Sequence, residues 1–202
     1  MKQNNTQLKE FSAIVLAAGE SSRMGFPKLS LRYNENEIFI EHIVEEFGEF
    51  GCREIIIVVN NQGKKYLIEN DIQFPENIKI VVNTHTNWHR FYSLKVGAKS
   101  LSKECSTFIH NVDNPFVNVK VLESLVSYSA KGDYVNPSYN EKGGHPFLLS
   151  QNIINDIRSS QEDKLHLKEF LNQYSREKVQ VNDEKILVNI NTKEEYEMYF
   201  SF

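Results

Sequence analysis

The residue types best suited to chemistry lie together in one short segment, residues 16–29. Its sequence is Leu-Ala-Ala-Gly-Glu-Ser-Ser-Arg-Met-Gly-Phe-Pro-Lys-Leu, directly after an apolar run. Glycines let a backbone approach an anion closely, serines and backbone N–H groups donate hydrogen bonds, and Arg23 and Lys28 bring positive charge. The pattern is neither a Walker loop, nor Gly-x-Gly-x-x-Gly, nor a Gly-x-Ser-x-Gly nucleophile elbow. It indicates phosphate binding, and a solvated turn with incidental charges is the alternative.

Two further polar segments could hold a metal ion. Asp113 follows an apolar run, and a carboxylate there can bind Mg²⁺ together with substrate phosphates and waters; an Asx-type turn is the alternative. Asn189 and Asn191 offer amide oxygens, which can ligate Mg²⁺ but bring no negative charge. Asn191 or Thr192 can equally cap a helix, with Glu195 completing a capping box.

Alternating strand and helix patterns predict how these segments are positioned. Continuous apolar runs predict strands buried on both faces, at residues 13–18, 55–59, 78–82, 107–112 and 134–135. Apolar spacings of three and four predict helices at residues 38–50 and 119–128. The C-terminal third predicts helices at 151–158, 164–174 and 193–199, and strands at 179–181 and 186–190. This order favours a mostly parallel sheet with helices on both faces and ligands beyond the carboxyl ends of its strands.

Composition narrows the class of protein. The chain has 202 residues and a formal net charge of -4, so no global positive field exists to hold a nucleic acid. Nothing resembles an interdomain linker, which predicts one domain over residues 1–202 with a flexible N-terminus at 1–10. Cys52 and Cys105 lack metal or redox spacing and are expected to be small buried hydrophobes. No signal peptide or membrane span is recognisable, so we expect a cytoplasmic protein with no membrane partner.

Residues 16–28 also resemble a known signature. They match, at every fixed position, the Leu-Ala-Ala-Gly-x-Ser-x-Arg-Met-Gly-x-Pro-Lys pattern of nucleotidyltransferases with the nucleotide-diphospho-sugar transferase fold, in particular the molybdenum cofactor cytidylyltransferase branch. The resemblance implies a single three-layer α/β/α domain with a mixed, mostly parallel, Rossmann-like sheet. It also implies a loop that wraps the triphosphate of a nucleoside triphosphate (NTP), in which Arg23 and Lys28 neutralise the phosphates. The implied nucleotide-binding residues of this loop are Leu16, Ala17, Ala18, Gly19, Ser21, Ser22, Arg23, Gly25 and Lys28.

The resemblance extends to the metal and to both substrates. Residues 111–115 are similar to the family's Gly-Asp-Gln-Pro, which implies that Asp113 binds Mg²⁺ and acts in catalysis with Lys28 and Arg23. Residues 188–196 are similar to Asp-Ile-Asp-Thr-Pro-Glu-Asp-Tyr, and Asn189 and Asn191 replace the two aspartates. The resemblance implies that Gly144, His145 and Pro146, which form a Gly-His-Pro segment, contact the second substrate. It also implies that Ser93, in a degenerate Gly-Met-x-x-Ser-Leu segment, contacts the nucleotide.

The expected reaction is nucleotidyl transfer, in which an acceptor phosphate attacks the α-phosphate of an NTP and pyrophosphate leaves. Ala18 stands where guanylyltransferase relatives carry glycine, so the resemblance favours CTP, with a molybdopterin-type phosphate as acceptor. One alternative is a sugar-phosphate or alcohol-phosphate nucleotidyltransferase. The other is a catalytically weak nucleotide-binding or regulatory protein, because Asn189 and Asn191 lack the family's charge. No oligomeric state is predicted.

Overall fold

The computed structural model describes residues 11–20 and 24–200. Within this part of the chain there are eight strands and seven α-helices. The strands are β1 (Phe11–Ala17), β2 (Glu54–Val59), β3 (Ile78–Val82), β4 (Ser106–Asn111), β5 (Tyr134–Tyr139), β6 (Lys142–Gly143), β7 (Phe147–Leu149) and β8 (Arg176–Gln180). The helices are α1 (Phe39–Phe50), α2 (Asn61–Glu69), α3 (His89–Ser100), α4 (Val119–Ser127), α5 (Gln151–Ser159), α6 (Leu167–Leu171) and α7 (Lys193–Tyr199).

All the strands belong to one mixed sheet. Its order is β3-β2-β1-β4-β7-β5-β6, and β8 pairs with β5. The pairs β1–β2, β2–β3, β1–β4 and β5–β8 are parallel, whereas β7 runs antiparallel to both β4 and β5. The carboxyl ends of β1, β2, β3 and β4 therefore meet at one edge of the sheet, as the sequence predicts.

Each strand of the central sheet divides its side chains between two cores. Along β1, Ala13, Val15 and Ala17 pack into the core formed with α1 and α4. Ile14 and Leu16 point to the opposite face and pack with residues of α3 and α5. This alternation follows from the two-residue period of a strand. The sheet lies between two helical layers, which confirms the predicted three-layer α/β/α architecture.

The C-terminal third departs from the predicted elements. Residues 186–190 are not a strand; a 3-10 helix occupies Glu184–Leu187 instead. The carbonyls of Lys185 and Ile186 accept hydrogen bonds from the side-chain amide of Asn114, at 3.2 and 3.0 Å, so they do not pair with a strand. The predicted helix at 164–174 is reduced to α6, Leu167–Leu171, and Asp163 just before it pairs with Lys95 at 2.5 Å. Helix α2 and strands β6 and β7 were not predicted.

Both cysteines are buried and unpaired, as expected of small apolar side chains. Within the described residues, no helix combines the length and the apolar character that crossing a membrane requires. The predicted N-terminal segment, 1–10, lies outside the described residues.

Helix α3 packs against the sheet at Gly97, where there is no room for a side chain. A Cβ atom at residue 97 would come within 2.6 Å of Cγ2 of Ile14 and 2.9 Å of Cγ2 of Val58. Real Cβ atoms do not approach carbon so closely, so only glycine permits this packing. The close approach also sets how near the N-terminal part of α3, including Ser93, lies to the edge of β1.

Replacing Gly97 with alanine should destabilise the protein. Because the added methyl group overpacks the interface between α3 and the sheet, the expected cost is about 1–3 kcal/mol, or roughly 2–12 °C in melting temperature. Gly48→Ala is the matched control, since residue 48 lies on the exposed face of helix α1 with open space around its Cβ position, and alanine there favours the helix. Thermal unfolding of both variants tests this, and an unchanged melting temperature for Gly97→Ala would contradict the packing.

Candidate active site

A cavity of about 420 Å³ opens at the carboxyl edge of the sheet, beyond β1 and β4. Four separate parts of the chain form its wall: the end of β1 with the loop that follows, the N-terminal part of α3 with the loop before it, the end of β4, and the turn before α7. The lining residues are Leu16, Ala17, Ala18, Gly19, Glu20, Lys28, Thr86, His89, Arg90, Ser93, Asn111, Val112, Asp113 and Asn191.

Three of these residues meet around one ammonium group. The Nζ atom of Lys28 donates a hydrogen bond to Oδ1 of Asn191 at 2.7 Å and lies 3.7 Å from Oδ2 of Asp113. The lysine and aspartate side chains are only 14% and 21% exposed. At 3.7 Å the second contact is an electrostatic attraction and not a hydrogen bond. The Lys28 ammonium group is therefore held between the end of β4 and the turn before α7.

Backbone contacts hold the C-terminal turn against the end of β4. The N–H of Ile190 donates to the carbonyl of Asp113 at 2.6 Å. The N–H groups of Asn191 and Thr192 both donate to Oε2 of Glu195, and the Thr192 hydroxyl accepts from the N–H of Glu195. Thr192 is therefore the cap of α7 and Glu195 closes the predicted capping box. The cap leaves the side chain of Asn191 facing the cavity.

The oxygen atoms around Asp113 suit a divalent metal ion that also binds to substrate oxygens. Oδ1 of Asp113 is buried and has no hydrogen-bond partner among the described residues. Such an atom is costly to bury unless a ligand compensates it. Residues 11–20 and 24–200 contain no cluster of three His, Cys, Asp or Glu side chains that would hold a metal alone. A metal bound at Asp113 would thus take most of its ligands from substrate oxygens and water, as Mg²⁺ commonly does.

Neighbouring loops support the first part of the phosphate-binding segment. The side-chain amide of Asn60, which follows β2, donates to the carbonyl of Gly19 at 3.1 Å. The carboxylate of Glu20 accepts a hydrogen bond from the hydroxyl of Thr86 at 2.9 Å. The segment after β1 is therefore hydrogen-bonded to the loop after β2 and to the loop after β3.

His145 lies behind the cavity wall. Its Nε2 is hydrogen-bonded to the side-chain amide of Asn111 at 3.0 Å. Burial lowers the pKa of His145 to about 3, with contributions from His110 and Arg90. Burial likewise lowers the pKa of His110 to about 4, although this ring donates a hydrogen bond to the carbonyl of Asn114. Both rings are neutral at pH 7, and the His145 ring supports Asn111.

The structure brings most of the predicted nucleotide contacts to one cavity. Its lining includes Leu16, Ala17, Ala18, Gly19, Lys28, Ser93, Asp113 and Asn191. Gly25 is exposed outside this lining, in a left-handed conformation at φ 76° that favours glycine. Asn189 is also exposed and contributes its carbonyl to Asn191. The predicted contacts Ser21, Ser22 and Arg23 lie outside the described residues.

The three residues predicted for the second substrate do not line this cavity within the described part of the chain. Gly144 is buried beneath the 3-10 helix, where a Cβ atom would come within 2.4 Å of the carbonyl oxygen of Ile186. His145 reaches the cavity only through Asn111, and Pro146 is buried. Contact between these residues and an acceptor stays a prediction.

Sequence reasoning passed over several wall residues. Glu20, Thr86, His89, Arg90 and Asn111 were not singled out as ligand contacts, yet all line the cavity. Their position was the available signal, because each stands at or after the carboxyl end of a central strand. Arg90 adds a second positive charge, on the α3 side of the cavity.

Comparison with known proteins gives three informative relatives. The molybdenum cofactor cytidylyltransferase of Escherichia coli (strain K12) is 23% identical over 190 residues, 94% of this chain and 95% of that protein. A probable molybdenum cofactor guanylyltransferase of Methanosarcina mazei is 24% identical over 168 residues, 81% of this chain and 75% of that protein. The 2-C-methyl-D-erythritol 4-phosphate cytidylyltransferase of Halalkalibacterium halodurans is 32% identical over 133 residues, 60% of this chain but only 54% of that protein.

Solved structures share the fold. Rv0371c from Mycobacterium tuberculosis H37Rv superposes with a TM-score of 0.77 at 18% identity, over 96% of this chain and 100% of that one. A second structure of Rv0371c, in complex with manganese, has a TM-score of 0.74 at 16% identity, over 95% of this chain and 98% of that one. At such identities the likeness concerns the arrangement of the chain.

The family comparison covers most of the domain. The model of the MobA-like NTP transferase domain matches residues 13–179, from β1 into β8. That stretch contains the phosphate-binding segment, the end of β4 and the N-terminal part of α3, which form most of the cavity wall. The chain therefore belongs to the MobA-like NTP transferase family and is a nucleotidyltransferase.

Proposed function

We propose that this nucleotidyltransferase transfers CMP from CTP to the phosphate group of a small acceptor, with a molybdopterin-type cofactor as the first candidate. The observation that carries the proposal is the meeting of Lys28, Asp113 and Asn191 at the cavity that the phosphate-binding segment enters. One cation and one carboxylate with a buried, unpartnered oxygen suit a triphosphate and a divalent metal ion together.

The reaction needs no side-chain nucleophile. An oxygen of the acceptor phosphate forms a bond to the α-phosphorus, the bond from that phosphorus to the bridging oxygen breaks, and pyrophosphate leaves with the electron pair. The work of the protein is to position the two phosphates and to neutralise charge. Lys28 turns from Asn191 toward the α-phosphate, while Arg23 neutralises the β- and γ-phosphates.

Asp113, with Asn191 as a weaker partner, would hold the metal ion, for which we propose Mg²⁺. When bound, such an ion neutralises phosphate charge and fixes the orientation of the triphosphate. Asn189 is the outermost member of the proposed set, because its side chain is exposed. The structural relative crystallised with manganese makes Mn²⁺ the natural comparison in an assay.

The preference for CTP rests on Ala18. Its side chain lies at the cavity and is only 5% exposed, so its methyl group narrows the space beside the end of β1. A cytosine ring needs less room than a guanine ring. The relatives include both cytidylyltransferases and guanylyltransferases, so the base must be measured.

A second acceptor class has a specific observation in its favour. The 32% identical relative is named for 2-C-methyl-D-erythritol 4-phosphate, which is the phosphate ester of a polyol. Pyrophosphate release with CTP, measured against this compound and against a molybdopterin-type phosphate, separates the two proposals. Release with neither acceptor, despite tight CTP binding, would favour the third alternative of a weakly catalytic nucleotide-binding protein.

Lys28→Ala should weaken nucleotide binding and slow turnover. Loss of the ammonium group removes a cation that faces the transferred phosphate, and the expected loss in kcat is on the order of 10²–10³. Lys103→Ala is the control, because residue 103 is exposed and precedes the amino end of β4, far from the cavity. Steady-state kinetics, together with a thermal melt that checks folding, would test this. If a folded Lys28→Ala protein bound the nucleotide and turned it over as the wild type does, the assignment of Lys28 to the site would be wrong.

Substitutions at the metal residues should act in opposite directions. Asp113→Asn removes the charged ligand, so activity should collapse and no added Mg²⁺ should restore it fully. Asn191→Asp adds a carboxylate, which should lower the Mg²⁺ concentration needed for half-maximal activity, because affinity rises with ligand charge. Mg²⁺ titrations of both variants measure this. An active Asp113→Asn protein, or an unchanged Mg²⁺ requirement in Asn191→Asp, would show that the two residues do not share a metal.

CTP should bind more tightly than GTP. Ala18→Gly should reduce that preference, because it enlarges the space beside the end of β1 in which we propose that the base binds. Titration calorimetry of each nucleotide with Mg²⁺ gives the two dissociation constants for both proteins. Binding of GTP that is tighter by a factor of ten, about 1.4 kcal/mol, would overturn the assignment to CTP.

A further inference from the structure

Asn83 is a fully buried polar residue with both ends of its side chain committed. It follows β3 and is only 1% exposed. Its Oδ1 accepts a hydrogen bond from the backbone N–H of His85 at 2.7 Å, and its Nδ2 donates to Oγ of Ser93 at 2.9 Å. A backbone N–H can only donate, so the amide has one possible orientation: oxygen toward His85 and nitrogen toward Ser93.

This orientation determines the hydrogen-bonding role left to Ser93. A hydroxyl has one proton to donate, and the Ser93 oxygen already accepts from Asn83. Serine in a helix often donates back to the carbonyl four residues earlier, as Ser100 of the same helix does to Val96 at 3.0 Å. Among the described residues, Ser93 makes no such bond. Its proton is therefore available to a ligand in the cavity that it lines.

The position of Ser93 indicates which part of a nucleotide it meets. Lys28 and Asp113 meet at the end of β4, whereas Ser93 lies on α3 and is hydrogen-bonded to Asn83, which follows β3. A triphosphate at Lys28 would leave the α3 side of the cavity, which Ser93 and Arg90 line, to the nucleoside. Sugar oxygens and base carbonyls are hydrogen-bond acceptors and would complement a donated proton.

We propose that Asn83 is a positioning residue that makes the Ser93 hydroxyl a hydrogen-bond donor to the nucleoside part of the bound NTP. The relay runs from the N–H of His85 through the amide of Asn83 to the hydroxyl of Ser93 and then to the ligand. It rests on the proposed function in one respect, namely that an NTP occupies the cavity. A purely structural role for Asn83 would need no particular direction in this chain of hydrogen bonds.

Asn83→Asp reverses the direction of the relay at nearly constant shape. The carboxylate still accepts a hydrogen bond from the N–H of His85, but it now also accepts one from the Ser93 hydroxyl. Ser93 then has no proton left to donate to the nucleotide. Ser93→Ala removes the donor outright. If Asn83 acts through Ser93, both single variants and the double variant should lose the same affinity, about threefold to tenfold, as expected for one neutral hydrogen bond.

Titration calorimetry at pH 8 with CTP and with GTP, each with Mg²⁺, measures these losses. Asn87→Asp is the matched control, because it adds the same charge to an exposed residue of the same loop and should bind as the wild type does. Melting temperatures identify any variant that is unfolded, and Ser93→Ala is a small change that keeps the test open if Asn83→Asp does not fold.

Three results would overturn the relay. They are wild-type affinity in Asn83→Asp, wild-type affinity in Ser93→Ala, and a further loss when Asn83→Asp is added to Ser93→Ala. Failure of the wild-type protein to bind either nucleotide would instead overturn the proposed function, and the relay with it.

Discussion

The charge of the Asp113 carboxylate is the constraint on which the arrangement of the carboxyl edge depends. A carboxylate that is largely removed from water is costly unless a cation and hydrogen-bond donors compensate it. Lys28 supplies the cation from the loop after β1, although 85 residues separate the two in sequence. Asn191 joins from the C-terminal turn, which the bond from Ile190 to the Asp113 carbonyl holds in place. The loop after β1, the end of β4 and the turn before α7 thus meet at the Asp113 carboxylate.

Two neutral groups of the cavity wall are held in place by side chains that lie behind them. Asn111 is supported by His145, and Ser93 by Asn83. Burial lowers the pKa values of His145 and His110 far below neutrality, so this support does not change its charge near pH 7. The cavity therefore combines charged groups that can exchange partners with a triphosphate, namely Lys28, Asp113 and Arg90, with the neutral groups Asn111 and Ser93, which neighbouring side chains hold in place. Such preorganisation limits the reorganisation needed when a nucleotide binds.

Two segments of the C-terminal third have contacts that the family comparison does not assign. The family match ends at residue 179, before the turn that carries Asn189 and Asn191. Before α6, Asp163 is paired with the buried ammonium of Lys95 and thereby links this segment to α3.

The sequence by itself determined the elements whose signal is local. Continuous apolar runs located the central strands, the three-to-four spacing located α1 and α4, and Thr192 with Glu195 marked the start of α7. The residue types after β1 and β4 indicated phosphate and metal chemistry, because parallel strands present their carboxyl ends at one edge.

Only the tertiary structure decided the features that depend on distant partners. Residues 186–190 form a mostly apolar run that resembles a strand, yet the amide of Asn114 donates to the carbonyls of residues 185 and 186 and a 3-10 helix forms. His145 is placed behind Asn111 and not at the cavity surface. The pairing of Lys28 with Asn191 spans 163 residues. Periodicity reports which face of an element is buried, but not which hydrogen-bonding group will arrive from elsewhere in the chain, and that choice is made only when the core assembles.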